Sequence, residues 1–335
     1  MHPRRTAADI VRKYGIFIAL ALLCAYFAIR TEDHCFLGRT NLLNIPDQVA
    51  RNLILAVGMT FVIISAGIDL SVGSTLALAS TLAAGILTHG LFVLLGGTRY
   101  VILPVLAVGA MVPLSMLFGI LAGAASGAFA GAVITRFAVP PFIATLAMMF
   151  VTRGLANTYA GPGGRFGNLP DEFKALATLA VGPVALPTAV AVLVVVIGHL
   201  VLSQTAFGRS VYAVGGHEEA ARLSGIRVRR VKMLVYTACG ALAGIGGLIE
   251  AVKLGAGDPT IGNYAELDAI AAVVVGGASL MGGSGSMGRT LLGALFMGVL
   301  NNGLVLLRVP EFNQLIWKGV VILGAVILDQ ATRND

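Results

Sequence analysis

The chain has 335 residues, of which 57% are hydrophobic and only 12% charged, about half the charge of a typical soluble domain. A mean hydropathy of +0.89 excludes a water-soluble chain, and 43 glycines point to membrane helices packed through small residues rather than a leucine-rich bundle. The net charge of +7, with a pI near 9.6, fits basic residues kept on the cytoplasmic side of a membrane and requires no nucleic-acid partner.

Arg4, Arg5, Arg12 and Lys13 precede an apolar run over 14–29. No A-x-A cleavage pattern follows it, so an uncleaved first span that starts inside is expected. A polar segment, 30–51, carries Glu32, Asp33 and Asp47. Residues 53–88 are then apolar except for Asp69. As one helix they would measure about 54 Å, against a hydrocarbon core of about 30 Å. A break at Gly67-Ile68-Asp69-Leu70-Ser71 resolves the excess. Residues 101–134, with Pro104 and Pro113, read as one tilted or broken crossing. Further spans are expected at 141–159, 187–202, 232–254, 267–281, 290–307 and 314–329. Residues 161–182 read as a loop with a short surface helix.

Segment 203–231 holds Arg209, Arg222, Arg227, Arg229 and Arg230, with Lys232 just beyond. Such a basic loop belongs in the cytoplasm, on the side of the N-terminus. The expected fold is therefore all-α: a polytopic transmembrane helical bundle of about ten spans, some of them broken, with cytoplasmic N- and C-termini. It forms a single membrane domain over 1–335, with its core at 14–329 and a cytoplasmic loop at 203–231.

Little else in the sequence suggests chemistry. Cys24, Cys35 and Cys239 lack disulfide or metal spacing. The five histidines are scattered, and no nucleophile, base and acid set stands out, so neither catalytic nor metal residues are expected. Gly283 to Gly288 fits G-x-G-x-x-G, and Gly283 to Thr290 fits a Walker A loop but for Arg289. Both patterns need a preceding strand in a soluble α/β domain. Between two apolar spans they read as a glycine turn, and no nucleotide cofactor is expected.

Within the basic loop, Glu219-Ala220-Ala221 followed by Gly225 spells E-A-A-x-x-x-G. Acidic residues in the first turn suit a short helix, and Gly225 can end it in a left-handed cap. This stretch, with Ala66-Gly67-Ile68-Asp69-Leu70-Ser71-Val72-Gly73-Ser74 and the segment from Tyr264 to Gly277, resembles the ribose-type permease family. These are the membrane subunits of bacterial ABC importers for monosaccharides. The resemblance runs from about residue 50 to Asp329, and it lacks the I-x-L-P that follows the glycine in ABC permeases at large.

The resemblance implies an inner-membrane permease with no enzymatic activity of its own. Its partners would be a separate ATP-binding subunit, a periplasmic sugar-binding protein and a second permease copy, either identical or a sister chain. Glu218, Glu219, Ala220, Ala221, Arg222 and Gly225 would dock into the ATPase.

Two readings stand for Asp69: with Ser71 and Ser74 it lines the substrate pathway, or it caps the helix after the break. Tyr264, Asp268, Asn301 and Asn302 are candidate pathway residues too, with helix-to-helix hydrogen bonding or interface anchoring as the other reading. The rival function is an ion-coupled secondary sugar carrier. It would use intramembrane charges such as Asp69, Glu250, Lys253 and Asp268, unless Glu250 and Lys253, at i and i+3, neutralise each other.

Overall fold

The computed structural model describes residues 7–95, 98–105, 107–182 and 184–331. The basic residues at 4, 5, 12 and 13, which orient the first expected span, lie outside the described side chains. The chain opens with α1 (Ala7–Arg30), α2 (Arg39–Ile64) and α3 (Val72–His89). A hairpin of β1 (Leu91–Leu95) and β2 (Thr98–Leu103) leads to α4 (Val108–Phe137) and α5 (Pro141–Ala160). A loop carrying the single turn α6 (Asp171–Lys174) and a short ribbon of β3 (Ala180–Val181) and β4 (Val184–Ala185) precedes α7 (Leu186–Gln204). Two short helices follow, α8 (Ala206–Gly216) and α9 (Glu218–Leu223). The chain then runs through α10 (Val228–Leu254), α11 (Ala265–Val275), α12 (Met287–Leu306) and α13 (Glu311–Ala331).

Helices stand at every position where a span was expected, and the chain is broken between Ile64 and Val72. Among the described residues six of them, α2, α3, α4, α7, α10 and α12, are long and apolar enough to cross a membrane. Three boundaries differ from expectation. Residues 98–103 form a strand, because a β-branched and aromatic run suits a pleated hairpin, so α4 starts only at Val108. α11 stops at Val275 instead of running to 281, since Gly277 takes a left-handed φ of 85°. Conversely, α2 reaches back to Arg39 through a segment that looked too polar to span.

α2, α3 and α10 form the buried centre. α5, α7 and α13 instead turn large apolar side chains outward, among them Phe150, Ile197 and Phe312. That inside-out polarity is what lipid demands of a bundle's rim. Between α4 and α10 the packing is backbone on backbone. Gly119, Gly123, Gly127 and Gly131 recur every fourth residue on α4 and face α10, the first three beside Gly240 and Gly244 and the last beside Met233 and Tyr236. A Cβ at Gly123 would strike the Gly240 carbonyl oxygen, and one at Gly244 would lie 2.9 Å from that of Gly119. Small residues at this spacing let membrane helices approach closely and gain dispersion contact, where burying apolar side chains gives no advantage over lipid. Buried hydroxyls tie the bundle further: Thr60 bonds Thr290 at 2.8 Å, and Thr152 donates to Ser74 at 2.6 Å.

Candidate functional site

The segment between α7 and α10 is built as two capped helices. Thr205 caps α8, its Oγ1 accepting from the Gly208 N–H at 3.1 Å. His217 breaks the chain and caps α9, its Nδ1 accepting from the Ala220 N–H at 3.1 Å. Glu218 and Glu219 occupy the first turn of α9, where the helix dipole favours negative charge. Arg222 grips both Glu219 carboxylate oxygens, at 3.0 and 2.5 Å. That contact holds the Glu219 carboxyl below its usual range and raises the Arg222 guanidinium. Lys232 of α10 pairs with Glu218 at 2.6 Å and ties the short helix to the bundle.

The helix ends in a Schellman cap. The Gly225 N–H donates to Arg222 O and the Ile226 N–H to Ala221 O, both at 3.1 Å, with Gly225 at φ 84°. A Cβ at Gly225 would meet open space, so backbone conformation alone selects glycine there. Ala221 is buried, while Glu218, Glu219, Ala220, Arg222 and Gly225 are exposed. Leu223 is 76% exposed beside them. It is an apolar side chain on a charged helix, which the motif pattern had not singled out.

α8 meets both chain breaks through backbone. The Gly283 N–H donates to Ile64 O, at the end of α2, over 2.9 Å. A Cβ at Gly215 would strike that same carbonyl oxygen and lie 2.8 Å from the Gly283 nitrogen. The Tyr212 hydroxyl donates to Gly285 O at 2.8 Å. Thus the end of α8, the end of α2 and the 276–286 turn converge with no room for a side chain at Gly215. The glycines of the rejected nucleotide pattern serve here as junction backbone, entered from helix α11 rather than from a strand.

In the first break, Ala66 at φ 60° closes a Schellman cap on α2. Its N–H reaches Ile63 O and that of Gly67 reaches Val62 O, each at 2.9 Å. α11 ends the same way, through Gly277 and Ala278 on Val274 O and Val273 O. Gly67-Ile68-Asp69-Leu70 to Ser74 and Gly277 to Ser284 share the letters G-x-x-L-x-x-G-S, which pair Gly67 with Gly277, but the equivalent backbone positions are Ala66 and Gly277. The second turn is also longer, so Gly73 and Ser74 are helical whereas Gly283 and Ser284 are not.

Asp69 is 1% exposed. Its Oδ1 accepts from the Ser71 N–H at 2.9 Å and from the Ser71 hydroxyl at 2.7 Å, just before α3. Among the described residues its Oδ2 has no hydrogen-bond partner, and neither has the buried hydroxyl of Tyr236, against which a Cβ at Gly67 would collide. Ser71 and Ser74 are buried as well, with Ser74 donating to Ser71 O at 2.9 Å. The three residues share one polar seam, with Thr152 of α5 on Ser74.

The remaining candidates are scattered. Asn302 exchanges hydrogen bonds with Asn41 of α2, at 2.9 and 3.0 Å, joining two helices. Asn301 next to it keeps a buried Oδ1 with no partner among the described residues. Asp268 of α11 pairs with Lys318 of α13 at 3.1 Å. Tyr264 is 57% exposed in front of α11. Glu250 and Lys253 do not neutralise each other as their spacing suggested. Each reaches across to α2 instead, Glu250 to Arg51 at 3.2 Å and Lys253 to Asp47 at 2.8 Å, because α2 brings opposite charges to that face. The cysteines are free thiols.

A helical bundle with six helices, among the described residues, long and apolar enough to cross a membrane is that of a multi-pass membrane protein. Residues 41–328 match the family described as branched-chain amino acid transport system / permease component, and the chain belongs to that family. It is a permease component and a multi-pass protein of the bacterial inner membrane. It is similar to the ribose import permease protein of Escherichia coli (strain K12), 41% identical over 313 residues that cover 92% of each chain. The ribose import permease protein of Bacillus subtilis (strain 168) is 42% identical over 327 residues, 96% of this chain and 94% of its own. The xylose transport system permease protein of E. coli (strain K12) is 35% identical over 381 residues, 95% of this chain and 92% of its own. No solved structure matches the chain.

Proposed function

We propose that the chain is the membrane subunit of an ATP-driven monosaccharide importer, with a ribose-like pentose as cargo. It crosses the membrane ten times as a single domain with both termini in the cytoplasm, and it works beside a second permease copy. A periplasmic binding protein delivers sugar to the outer face, and a separate ATPase grips α9 from below. The observation that carries this reading is the junction at Gly215, which links an exposed, capped helix to both chain breaks. A push on α9 has a direct backbone route to Ile64 and Gly283.

Asp69, Ser71, Ser74, Tyr264, Asp268, Asn301 and Asn302 then belong to the pathway or to the helices that move around it. The ion pairs argue against the ion-coupled alternative, because three of its four candidate groups already hold fixed partners.

The test is sugar uptake in vesicles that carry this chain, the ATPase and the binding protein. Uptake lost on ATP depletion but kept with a protonophore is the expected outcome; the reverse would establish the ion-coupled carrier. Gly225→Val should leave membrane insertion intact yet uncouple ATP hydrolysis from uptake. Normal transport by that variant would end the docking role of α9.

A further inference from the structure

We infer that a groove between the C-terminal turn of α4 and the first turns of α10 is a binding site for one anionic phospholipid of the inner leaflet. The inference rests on the cytoplasmic placement of the α8 and α9 segment in that reading, but not on the identity of the cargo.

Two adjoining hollows share Thr135 and Arg229. The first is lined by those residues with Arg230, Met233 and Leu234. The second runs past Val139 and Pro140, at the corner between α4 and α5, to Glu218 and Lys232. The charges around them are not equivalent. Arg222 is neutralised by Glu219 and Lys232 by Glu218. Arg229 and Arg230 are exposed, and neither has an ion-pair partner among the described residues. The first turn of α10 contains no acidic residue, and no side chain caps it. The positive end of a long helix dipole therefore adds to two free guanidinium groups, a setting that favours a phosphate.

What distinguishes a lipid from a soluble anion is the apolar continuation. Met233 and Leu234 are 38% and 54% exposed. They lie four to five residues further along α10, about 7 Å towards the hydrocarbon at 1.5 Å per residue. That offset matches a headgroup at the interface and an acyl chain below it. Basic grooves between helices on the cytoplasmic side are where anionic headgroups bind. Neither a phosphate ion nor an acidic protein surface would use the Met233 and Leu234 floor. Because Glu218 belongs to α9, a lipid held here would lie against the helix proposed to grip the ATPase.

The full chain, purified in detergent, is incubated with dioleoylphosphatidylglycerol or dioleoylphosphatidylcholine and weighed by native mass spectrometry. A phosphatidylglycerol adduct should outlast the phosphatidylcholine adduct and weaken about tenfold in Arg229→Gln/Arg230→Gln. Arg209→Gln, which removes an exposed arginine of α8 outside the groove, should leave it unchanged. Thr135→Tyr, which fills the groove and keeps every charge, should also lose the adduct, so the proposal remains testable if the double variant fails to fold. Equal retention of the two lipids, or full retention in Thr135→Tyr, would overturn the site. Displacement of the adduct by inorganic phosphate at matched concentration would also overturn it, by showing a plain anion site.

Discussion

The two chain breaks reach similar geometry by different means. The first, between α2 and α3, is short and carries one charge, and Asp69 fastens it through the Ser71 N–H and hydroxyl. The second, between α11 and α12, is longer and has no ionisable group. Gly277, Gly282, Gly283 and Gly285 give it positive φ angles, and it is held by the Ile64 carbonyl and the Tyr212 hydroxyl. The first is stapled by its own side chain, the second through its own backbone groups. Substitutions should therefore damage the first by removing an atom and the second by adding one.

The largest effect is expected at the shared junction. Gly215→Ala places a methyl group against Ile64 O and the Gly283 nitrogen, and overpacking of this kind costs about 1–3 kcal/mol. Sugar uptake should fall at least tenfold, while Gly154→Ala on α5, where a Cβ meets open space, should transport normally. Normal uptake by the first variant would mean that the junction transmits nothing. At the first break, Asp69→Asn keeps an oxygen for Ser71 and should unfold near the wild-type temperature, whereas Asp69→Leu should lose about 1 kcal/mol. Equal losses in both would assign the effect to the charge and not to the two hydrogen bonds from Ser71.

A smaller change is expected away from both breaks. Asn302→Leu removes the exchange with Asn41 and should cost about 0.6–1.7 kcal/mol. Adding Asn41→Leu should cost little more, as measured by thermal unfolding in detergent. The smallest effect concerns α9. Arg222 lowers the pKa of Glu219 in the folded helix. The stabilisation is therefore complete above the ordinary carboxylate range and is lost as pH falls through the depressed value. In Arg222→Gln, acid-induced loss of amide protection over 218–225 should begin at higher pH.

Much of the bundle was legible in the sequence, because spans are specified by apolar length and the first break by a length that no straight helix fits. The start of α2 was hidden. Asn41, Asp47 and Arg51 look like loop residues until Asn302, Lys253 and Glu250 are seen to satisfy them from other helices. A single sequence does not reveal partners that distant. β2 was taken for the start of a span because an apolar run of that length has no period to separate strand from helix. The glycines of α4 at every fourth position did offer a signal for its partner, but only the structure shows that α10 is that partner. In the 218–225 motif the Gly225 cap follows from residue type, whereas the His217 cap and the exposure of Leu223 emerge only from the structure.

The glycine seam of α4 and α10 constrains how the molecule can move. Two helices in backbone contact along several turns cannot part by a small rotation without baring carbonyls to hydrocarbon. They therefore behave as one rigid mast. Rearrangement elsewhere in the bundle would then have to pivot about that mast while it stays upright.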